Sequence, residues 1–129
     1  MGFCTAVNCM DGRIQLPVIA FLTRRFAVEY VDMITEPGPN RILARQTDAN
    51  LIESVLDRIR ISVERHGSVG IAIVGHHDCA GNPAGQAEQA SDTIAAVEYI
   101  RKRCSRYGDV VVIGLWVDEN WSVSEIPTI

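Results

Sequence analysis

The sequence predicts an α/β fold, a three-layer Rossmann-like domain with a mainly parallel four-stranded sheet and a short C-terminal edge strand. Short apolar runs typical of buried strands alternate along the chain with longer segments of helical periodicity. Two of these runs, 68–75 and 110–117, are almost uninterrupted, as in strands that helices cover on both faces. The sequence contains no repeat, low-complexity tract or linker, so we expect a single domain over residues 1–129.

The first strand and the first helix are indicated near the N-terminus. Residues 3–7 form a short apolar run that meets the turn-forming segment 8–12, so we expect a buried strand and then a tight loop. A helix is predicted over residues 15–26, because Pro17 falls in its first turn, where a missing N–H is tolerated. The residues predicted to form its apolar face are Leu16, Ile19, Ala20 and Phe26.

A second strand and a second helix follow. Residues 30–34 predict a short strand, and the segment 35–40, which is rich in proline and glycine, predicts a loop. Thr47 or Asp48 can cap the next helix, which ends where Gly67 interrupts its pattern. The apolar residues at helical spacing between them are Leu51, Ile52, Val55, Leu56, Ile59 and Val63.

The second half of the chain predicts two buried strands, a helix and an edge strand. The run 68–75 predicts the third strand, and a loop over 81–85 precedes the third helix, which we expect to end by Gly108. Its apolar positions are Ala90, Ile94, Val97, Ile100 and Cys104. Residues 110–117 predict the fourth strand, and alternation over 121–126 predicts a short edge strand. Right-handed crossovers then place helices on both faces of the sheet.

Composition and charge exclude several classes of function. Hydrophobic residues make up 47% and charged residues 22% of the chain, a balance typical of globular proteins. The net charge of −4 and the lack of a lysine or arginine run argue against a nucleic-acid partner. No stretch approaches the roughly 18 apolar residues of a membrane span. No signal-peptide pattern is visible, so we expect a cytoplasmic protein without membrane contact.

The four cysteines fall into two groups. Cys4 lies within the first predicted strand and Cys104 on the apolar face of the third helix, so both are expected to be small core residues. Cys9 and Cys79 lie instead beside predicted strand ends, and a histidine is near. A cytoplasmic domain of this size does not need disulfides for stability. No Cys-x-x-Cys pair opens a helix, which argues against a thiol redox protein.

Three metal-ligating side chains follow two of the predicted strands. Cys9 follows the first strand, and His76 and Cys79 follow the third. Ligands of open α/β sheets bind outside the carboxyl ends of the strands, so these side chains meet if the two strands are neighbours. Two thiolates and an imidazole suit zinc in a catalytic site, with the fourth tetrahedral position left for water. Magnesium and calcium prefer oxygen ligands. Small core cysteines unrelated to a metal are the alternative.

A carboxylate and a guanidinium lie close to the first cysteine. The segment Cys9-Met10-Asp11-Gly12-Arg13 places Asp11 two residues after the thiol, and Arg13 two residues further on. A water molecule activated by a metal needs an acceptor that stays ionised, and an arginine beside Asp11 supplies geometry and a lowered pKa. Asp11-Gly12 is also a good turn dipeptide, and Arg13 could simply begin the next helix, although this alternative explains only Gly12 well.

The motifs Cys9-x-Asp11-x-Arg13 and His76-x-x-Cys79 together resemble the zinc signature of the β-class carbonic anhydrases. The resemblance implies one zinc ion per chain on Cys9, His76 and Cys79, with Asp11 and Arg13 as a catalytic dyad beside it. It implies zinc-dependent reversible hydration of carbon dioxide to bicarbonate, through hydroxide formed on the zinc. It also implies a homodimer or a higher homo-oligomer, with active sites near the subunit interface.

The chain departs from the family around these motifs. After the second strand the family usually has Arg-Asn-Ala-Gly, where this chain has Glu36-Pro37-Gly38-Pro39-Asn40-Arg41. Ala80 replaces the usual glycine after the second cysteine, and His77 replaces a small hydroxyl residue. The altered loop leaves two alternatives open. One is a zinc hydrolase acting on carbonyl sulfide or carbon disulfide, and the other is a non-catalytic zinc-binding relic of the same fold.

Three choices at the site itself also stay open. His77 competes with His76 as the ligand, and the family spacing favours His76. Asp11 could swing onto the zinc as a fourth ligand, which would leave Arg13 unpaired and close the site. Asp78 could orient His77 or only cap the loop that follows it, and the second role is favoured.

Overall fold

The computed structural model describes residues 2–128 and confirms the predicted α/β fold class. The strands are β1 (Phe3–Cys9), β2 (Tyr30–Glu36), β3 (Gly70–His76), β4 (Val111–Val117) and β5 (Val123–Ile126). The helices are α1 (Gln15–Arg25), α2 (Pro39–Arg45), α3 (Ala49–His66) and α4 (Gln86–Arg103), with a 3-10 turn at Ser105–Tyr107. The five strands form one sheet in the order β2-β1-β3-β4-β5, in which only β5 is antiparallel to its neighbour.

Helices cover both faces of the sheet. Val18 and Leu22 of α1 belong to an apolar cluster on one face. The cluster on the other face includes these residues of α3 and α4: Ile52, Val55, Ile59, Ala96, Val97 and Ile100. All seven residues of the central strand β3 are buried, which explains its uninterrupted apolar run. No helix within residues 2–128 is long and apolar enough to span a membrane.

The two ends of α3 follow from its sequence. Asp48 rather than Thr47 is the N-cap, because its Oδ1 accepts a hydrogen bond from the Leu51 N–H at 3.0 Å. Gly67 stops the helix with a φ of 67°, a left-handed conformation that glycine adopts without steric cost. The predicted cap and stop of this helix are therefore confirmed.

The prediction of a loop over 35–40 is wrong at both ends of that segment. The second strand continues to Glu36, whose partner in register is Cys9, so Cys9 is a strand residue and not a loop residue. Pro39 begins α2, because proline fits the first position of a helix. Gly38 precedes it with a φ of 61°, and a Cβ there would lie 2.6 Å from the Gly81 carbonyl carbon. Only glycine therefore fits this contact.

The buried face of α1 also differs from the prediction. Leu16 is 77% exposed, and Ala20 is exposed as well. Burial follows Ile14, Val18 and Leu22, which recur every four residues and begin one residue before the helix. The predicted face is therefore displaced, and it leaves a large apolar side chain in solvent.

The buried face of α4 is polar in its first half. Ala90 and Ile94, which were predicted to be buried, are only half-buried. Three polar residues are buried in their place: Gln89, Asp92 and Thr93. The strand beneath makes room for them, since a Cβ at Gly75 would lie 2.8 Å from Asn40 Nδ2 and 3.0 Å from Thr93 Oγ1. The helix therefore directs polar groups toward the carboxyl end of β3.

Candidate metal centre

The three predicted ligands meet at the carboxyl edge of the sheet. Cys9 is the last residue of β1 and His76 the last residue of β3, and these parallel strands are neighbours. Cys79 lies in the loop that follows β3. The ligand atoms of the three side chains lie within 4.8 Å of one another, and the two sulfur atoms are 3.8 Å apart. All three residues are buried, so this group could hold a metal ion.

The His76 ring is oriented for metal binding. Its Nδ1 lies 2.8 Å from the His77 carbonyl oxygen, which can only accept, so Nδ1 carries the proton and donates it. Nε2 consequently has a free lone pair, and this atom is buried without a hydrogen-bond partner among the described residues. His77 has an exposed side chain and contributes only its carbonyl group. The burial and orientation of the two side chains therefore favour His76 over His77 as the metal ligand.

Backbone N–H groups stabilise negative charge on both sulfur atoms. The Asn82 N–H donates to Cys79 Sγ at 3.3 Å, and the N–H groups of Asp11 and Gly38 face Cys9. The pKa of Cys9 falls to about 4, chiefly because the Cys79 thiol donates a hydrogen bond to it. The same contact raises the pKa of Cys79, which keeps its proton beside the Cys9 thiolate. A divalent cation can replace that shared proton and stabilise two thiolates.

The negative charge on the Cys9 sulfur also affects the pKa of the His76 imidazole. Burial of the His76 ring lowers its pKa, but the Cys9 sulfur and the His77 carbonyl raise it, and the net pKa lies above its ordinary value. The upward shift reflects the negative charge of the Cys9 sulfur, which a metal cation bound at Nε2 would neutralise. The donor set consists of two sulfur atoms and one nitrogen, a combination that zinc accepts and that hard cations do not. The residues therefore fit a zinc ion.

Asp11 and Arg13 form a bidentate ion pair next to the three ligands. Arg13 Nε donates to Asp11 Oδ1 at 3.1 Å, and Nη2 donates to Oδ2 at 2.7 Å. The Arg13 backbone N–H donates to Oδ1 at 2.9 Å. Hydrogen bonds from Arg13 lower the pKa of Asp11 to about 2. The carboxylate is outside the group of ligand atoms, so the structure shows the arrangement in which Asp11 is paired with Arg13.

A buried polar network behind the ligands was not predicted from the sequence. Gln89 Oε1 accepts from the His76 N–H at 3.2 Å, and its Nε2 donates to the His76 carbonyl at 2.8 Å and to the Asn82 carbonyl at 3.1 Å. Asn82 Nδ2 donates to Asn40 Oδ1 and to Asp92 Oδ2. Residues 89, 92 and 93 continue the buried stripe of α4 at helical spacing, and this was the signal that could have revealed them.

Two further side chains hold the first loop of the site. Gln15 Nε2 donates to the carbonyl groups of Cys9 at 2.8 Å and Asp11 at 2.7 Å, which ties the loop to the first turn of α1. The Asp78 carboxylate accepts from Arg13 Nη1 at 3.2 Å. The prediction that Asp78 only caps its own loop is therefore incomplete, because its side chain contacts the predicted dyad across two loops.

Comparisons with known proteins identify a family model and solved structures that are similar to this chain. A family model described as "Putative carbonic anhydrase" matches residues 1–127. The carbonic anhydrase from Glaciozyma antarctica superposes with a TM-score of 0.64 at 13% identity, over 96% of this chain and 81% of that chain. A structure of the tetrameric β-carbonic anhydrases from Sordaria macrospora gives 0.60 at 15% identity, over 95% and 79%. Comparison with curated protein sequences gives no match.

The structural neighbours and the family model support different conclusions about this chain. At this level of identity the structural neighbours are evidence for the fold alone, and they have the same α/β architecture as this chain. The family model spans nearly the whole chain and includes both motifs on which the predicted resemblance depends. The chain therefore belongs to the carbonic anhydrase family and has the fold of its β class.

Proposed function

We propose that this protein catalyses the reversible hydration of carbon dioxide to bicarbonate with one zinc ion held by Cys9, His76 and Cys79. The observation that carries the proposal is a buried group of two sulfur atoms and one nitrogen beside an ionised carboxylate that belongs to an ion pair. Three protein ligands leave a fourth tetrahedral position for water. Zinc bound there would supply water with a pKa of about 7, and hence a nucleophile at neutral pH.

The chain's own groups then orient the reaction. Asp11 stays ionised at every working pH, because its pKa is about 2, and it can accept the hydrogen of the attacking oxygen. This contact directs a lone pair of that oxygen toward the carbon of carbon dioxide. Arg13 fixes the carboxylate through both of its oxygen atoms and keeps it from leaving that position.

The decisive test is stopped-flow carbon dioxide hydration on protein whose metal content has been measured. We expect one zinc ion per chain and a rate well above that of Cys79→Ala, which lacks one of the two sulfur ligands. The two proteins should be compared at equal concentration and with the same free zinc. Stoichiometric zinc without any rate above the Cys79→Ala background would leave a non-catalytic zinc protein and overturn the assignment of activity.

Replacing Asp11 with asparagine is expected to lower kcat by about 10²-fold and to leave zinc at one ion per chain. The amide presents a donor as well as an acceptor and loses the charge pairing with Arg13. Because the pKa of Asp11 is about 2, the carboxylate contributes no step to the pH–rate profile at neutral pH in the wild type. Asp109→Asn, at an exposed position on the opposite edge of the sheet, is the matched control. Equal kcat for wild type and Asp11→Asn would exclude this role.

One observation favours testing sulfur analogues of the substrate as well. The loop that departs from the family's usual sequence packs its backbone on the loop after β3, where a Cβ at Gly81 would lie 2.3 Å from the Pro37 carbonyl carbon. The residues that depart from the family's usual sequence therefore contact the loop that carries Cys79. Carbonyl sulfide and carbon disulfide should therefore be assayed beside carbon dioxide, and a higher kcat/KM for either would reassign the substrate.

We further propose that the protein works as a homodimer or a multiple of dimers. Met10 is 65% exposed and Leu16 is 77% exposed, although both lie within seven residues of Cys9 along the loop and helix that follow it. Large apolar side chains exposed beside a functional site are typical of a contact surface. The relatives from Sordaria macrospora are described as tetrameric. The cytoplasmic location stays a prediction from the sequence.

A further inference from the structure

Arg13 is held by three separate segments of the chain. The loop after β1 contributes Asp11, which accepts two hydrogen bonds from the guanidinium. The loop after β3 contributes Asp78, whose carboxylate accepts from Nη1 at 3.2 Å and whose carbonyl oxygen accepts from Nη2 at 3.1 Å. The turn between β4 and β5 contributes Trp121, and the guanidinium carbon lies 4.6 Å from the centre of its ring.

Both outer partners of Arg13 have left-handed backbone conformations. Asp78 has a φ of 58° and Trp121 a φ of 60°, a region that residues with a Cβ rarely adopt. Trp121 lies in a turn closed by Asp118, whose carbonyl accepts from the Trp121 N–H at 3.0 Å. Asp118 Oδ1 also accepts from the N–H groups of Asn120 and Ser122, each at 2.9 Å. Strained residues of this kind persist where the surrounding structure determines them, and they concentrate at functional sites.

We propose that Trp121 and Asp78 are positioning residues that hold the Arg13 guanidinium in place and so keep the Asp11 carboxylate paired with it rather than on the metal. The inference rests on the proposed function, because Asp11 can leave Arg13 and become a metal ligand only if a metal is bound nearby. An Arg13 side chain without these two contacts could move away with little resistance, since it is half exposed. With the Trp121 ring 4.6 Å from the guanidinium carbon and Asp78 hydrogen-bonded to both terminal nitrogens, Arg13 and its charge stay beside Asp11.

Trp121 is the more informative position to change. The Asp78 side chain is 71% exposed, so its ion pair with Arg13 is screened by solvent, and its carbonyl contact persists after any substitution. Trp121→Leu keeps apolar bulk in the turn and removes the aromatic face. Trp121→Phe keeps an aromatic face and is the rescue variant. Val123→Ala removes apolar contact from the same cluster without touching Arg13, which makes it the matched control.

The kinetic test is a double-mutant cycle on zinc-loaded protein. Trp121→Leu is expected to lower kcat for carbon dioxide hydration by about two- to fivefold, the size of a cation–π contact near the surface. In an Arg13→Ala background the same substitution should have no further effect, because Trp121 acts through Arg13. Trp121→Phe should recover most of the loss, and Val123→Ala should behave like the wild type. Equal effects of Trp121→Leu in both backgrounds would show a general structural role and overturn the proposal.

A second measurement needs neither metal nor activity. The sequence has two tryptophans, so Trp116→Phe leaves Trp121 as the single tryptophan, which is excited selectively at wavelengths longer than tyrosine absorbs. Arg13→Ala in that protein is expected to increase acrylamide quenching of Trp121, because one face of the ring loses its cover. Unchanged quenching would overturn the proposal even in an active enzyme. A protein that binds zinc and shows the quenching change, yet hydrates no carbon dioxide, would overturn the proposed function and leave the contact standing.

Discussion

Replacing His76 with alanine is expected to weaken zinc binding sharply and to remove carbon dioxide hydration with it, whereas replacing His77 with alanine leaves both in place. The His76 ring is buried, and its Nε2 has no hydrogen-bond partner among the described residues. The His77 side chain is exposed, and only its carbonyl group contributes, which alanine retains. Structural zinc sites are worth about 10–16 kcal/mol in all, so one ligand carries about 3 kcal/mol and its loss weakens binding at least about 10²-fold.

The pair of variants separates the two histidines that the sequence left in competition. Zinc per chain should be measured after dialysis against a weak chelator, and hydration rates on the same samples. Circular dichroism and thermal unfolding of the metal-free proteins check that both variants keep the fold. Retention of full zinc by His76→Ala, or loss of zinc from His77→Ala, would contradict the assignment of the ligand.

The sequence was sufficient to predict the sheet and the residues that meet at its carboxyl edge. Long apolar runs were sufficient to predict β3 and β4, because a strand that is covered on both faces has almost no polar residues to interrupt its apolar pattern. The two motifs lie where β1 and β3 end, and the neighbouring positions of these strands bring Cys9 and His76 together. The Asp11–Arg13 pair is local in sequence, so its spacing of two residues already implied contact.

The missed features depend on contacts between distant segments. The helix α2 begins inside a segment rich in proline and glycine, a composition that usually marks a loop, and it fits only because Gly38 packs on Gly81. The contact of Trp121 with Arg13 joins two turns that are far apart in the chain. Local propensity carries no information on such contacts, since they depend on the tertiary arrangement.

Gln89 shows most clearly that local sequence does not reveal contacts between distant segments. A glutamine in an amphipathic helix suggests a solvated face, but here the side chain is completely buried. Its Oε1 accepts from the His76 N–H, and the two N–H groups of its amide are shared among the carbonyl groups of His76, Asn82 and Ala84. The Asn82 N–H in turn donates to Cys79 Sγ. One side chain therefore fixes the backbone of one ligand and, through the next loop, the hydrogen bond to another.

Replacing Gln89 with leucine is expected to reduce zinc affinity by about 10- to 100-fold and to lower the free energy of unfolding by about 3 kcal/mol. Leucine has a similar volume but can neither donate nor accept, so it leaves buried N–H and carbonyl groups of the site unpaired. Zinc affinity is measured by competition with a chromophoric chelator at a temperature where the metal-free variant is folded. Urea unfolding of the metal-free protein gives the change in stability.

Ile100→Ala is the matched control, because Ile100 lies on the same helix and is equally buried but packs in the apolar core. It should lower stability by about 2–5 kcal/mol and leave zinc affinity unchanged. Thr93→Val is a milder variant that removes only the hydroxyl group, which donates to the Gln89 carbonyl and accepts from Asn40. We expect it to cost about 1 kcal/mol and a smaller part of the zinc affinity. If Gln89→Leu and Ile100→Ala changed zinc affinity equally, the loss would reflect general destabilisation, and Gln89 would have no particular role in holding the ligands.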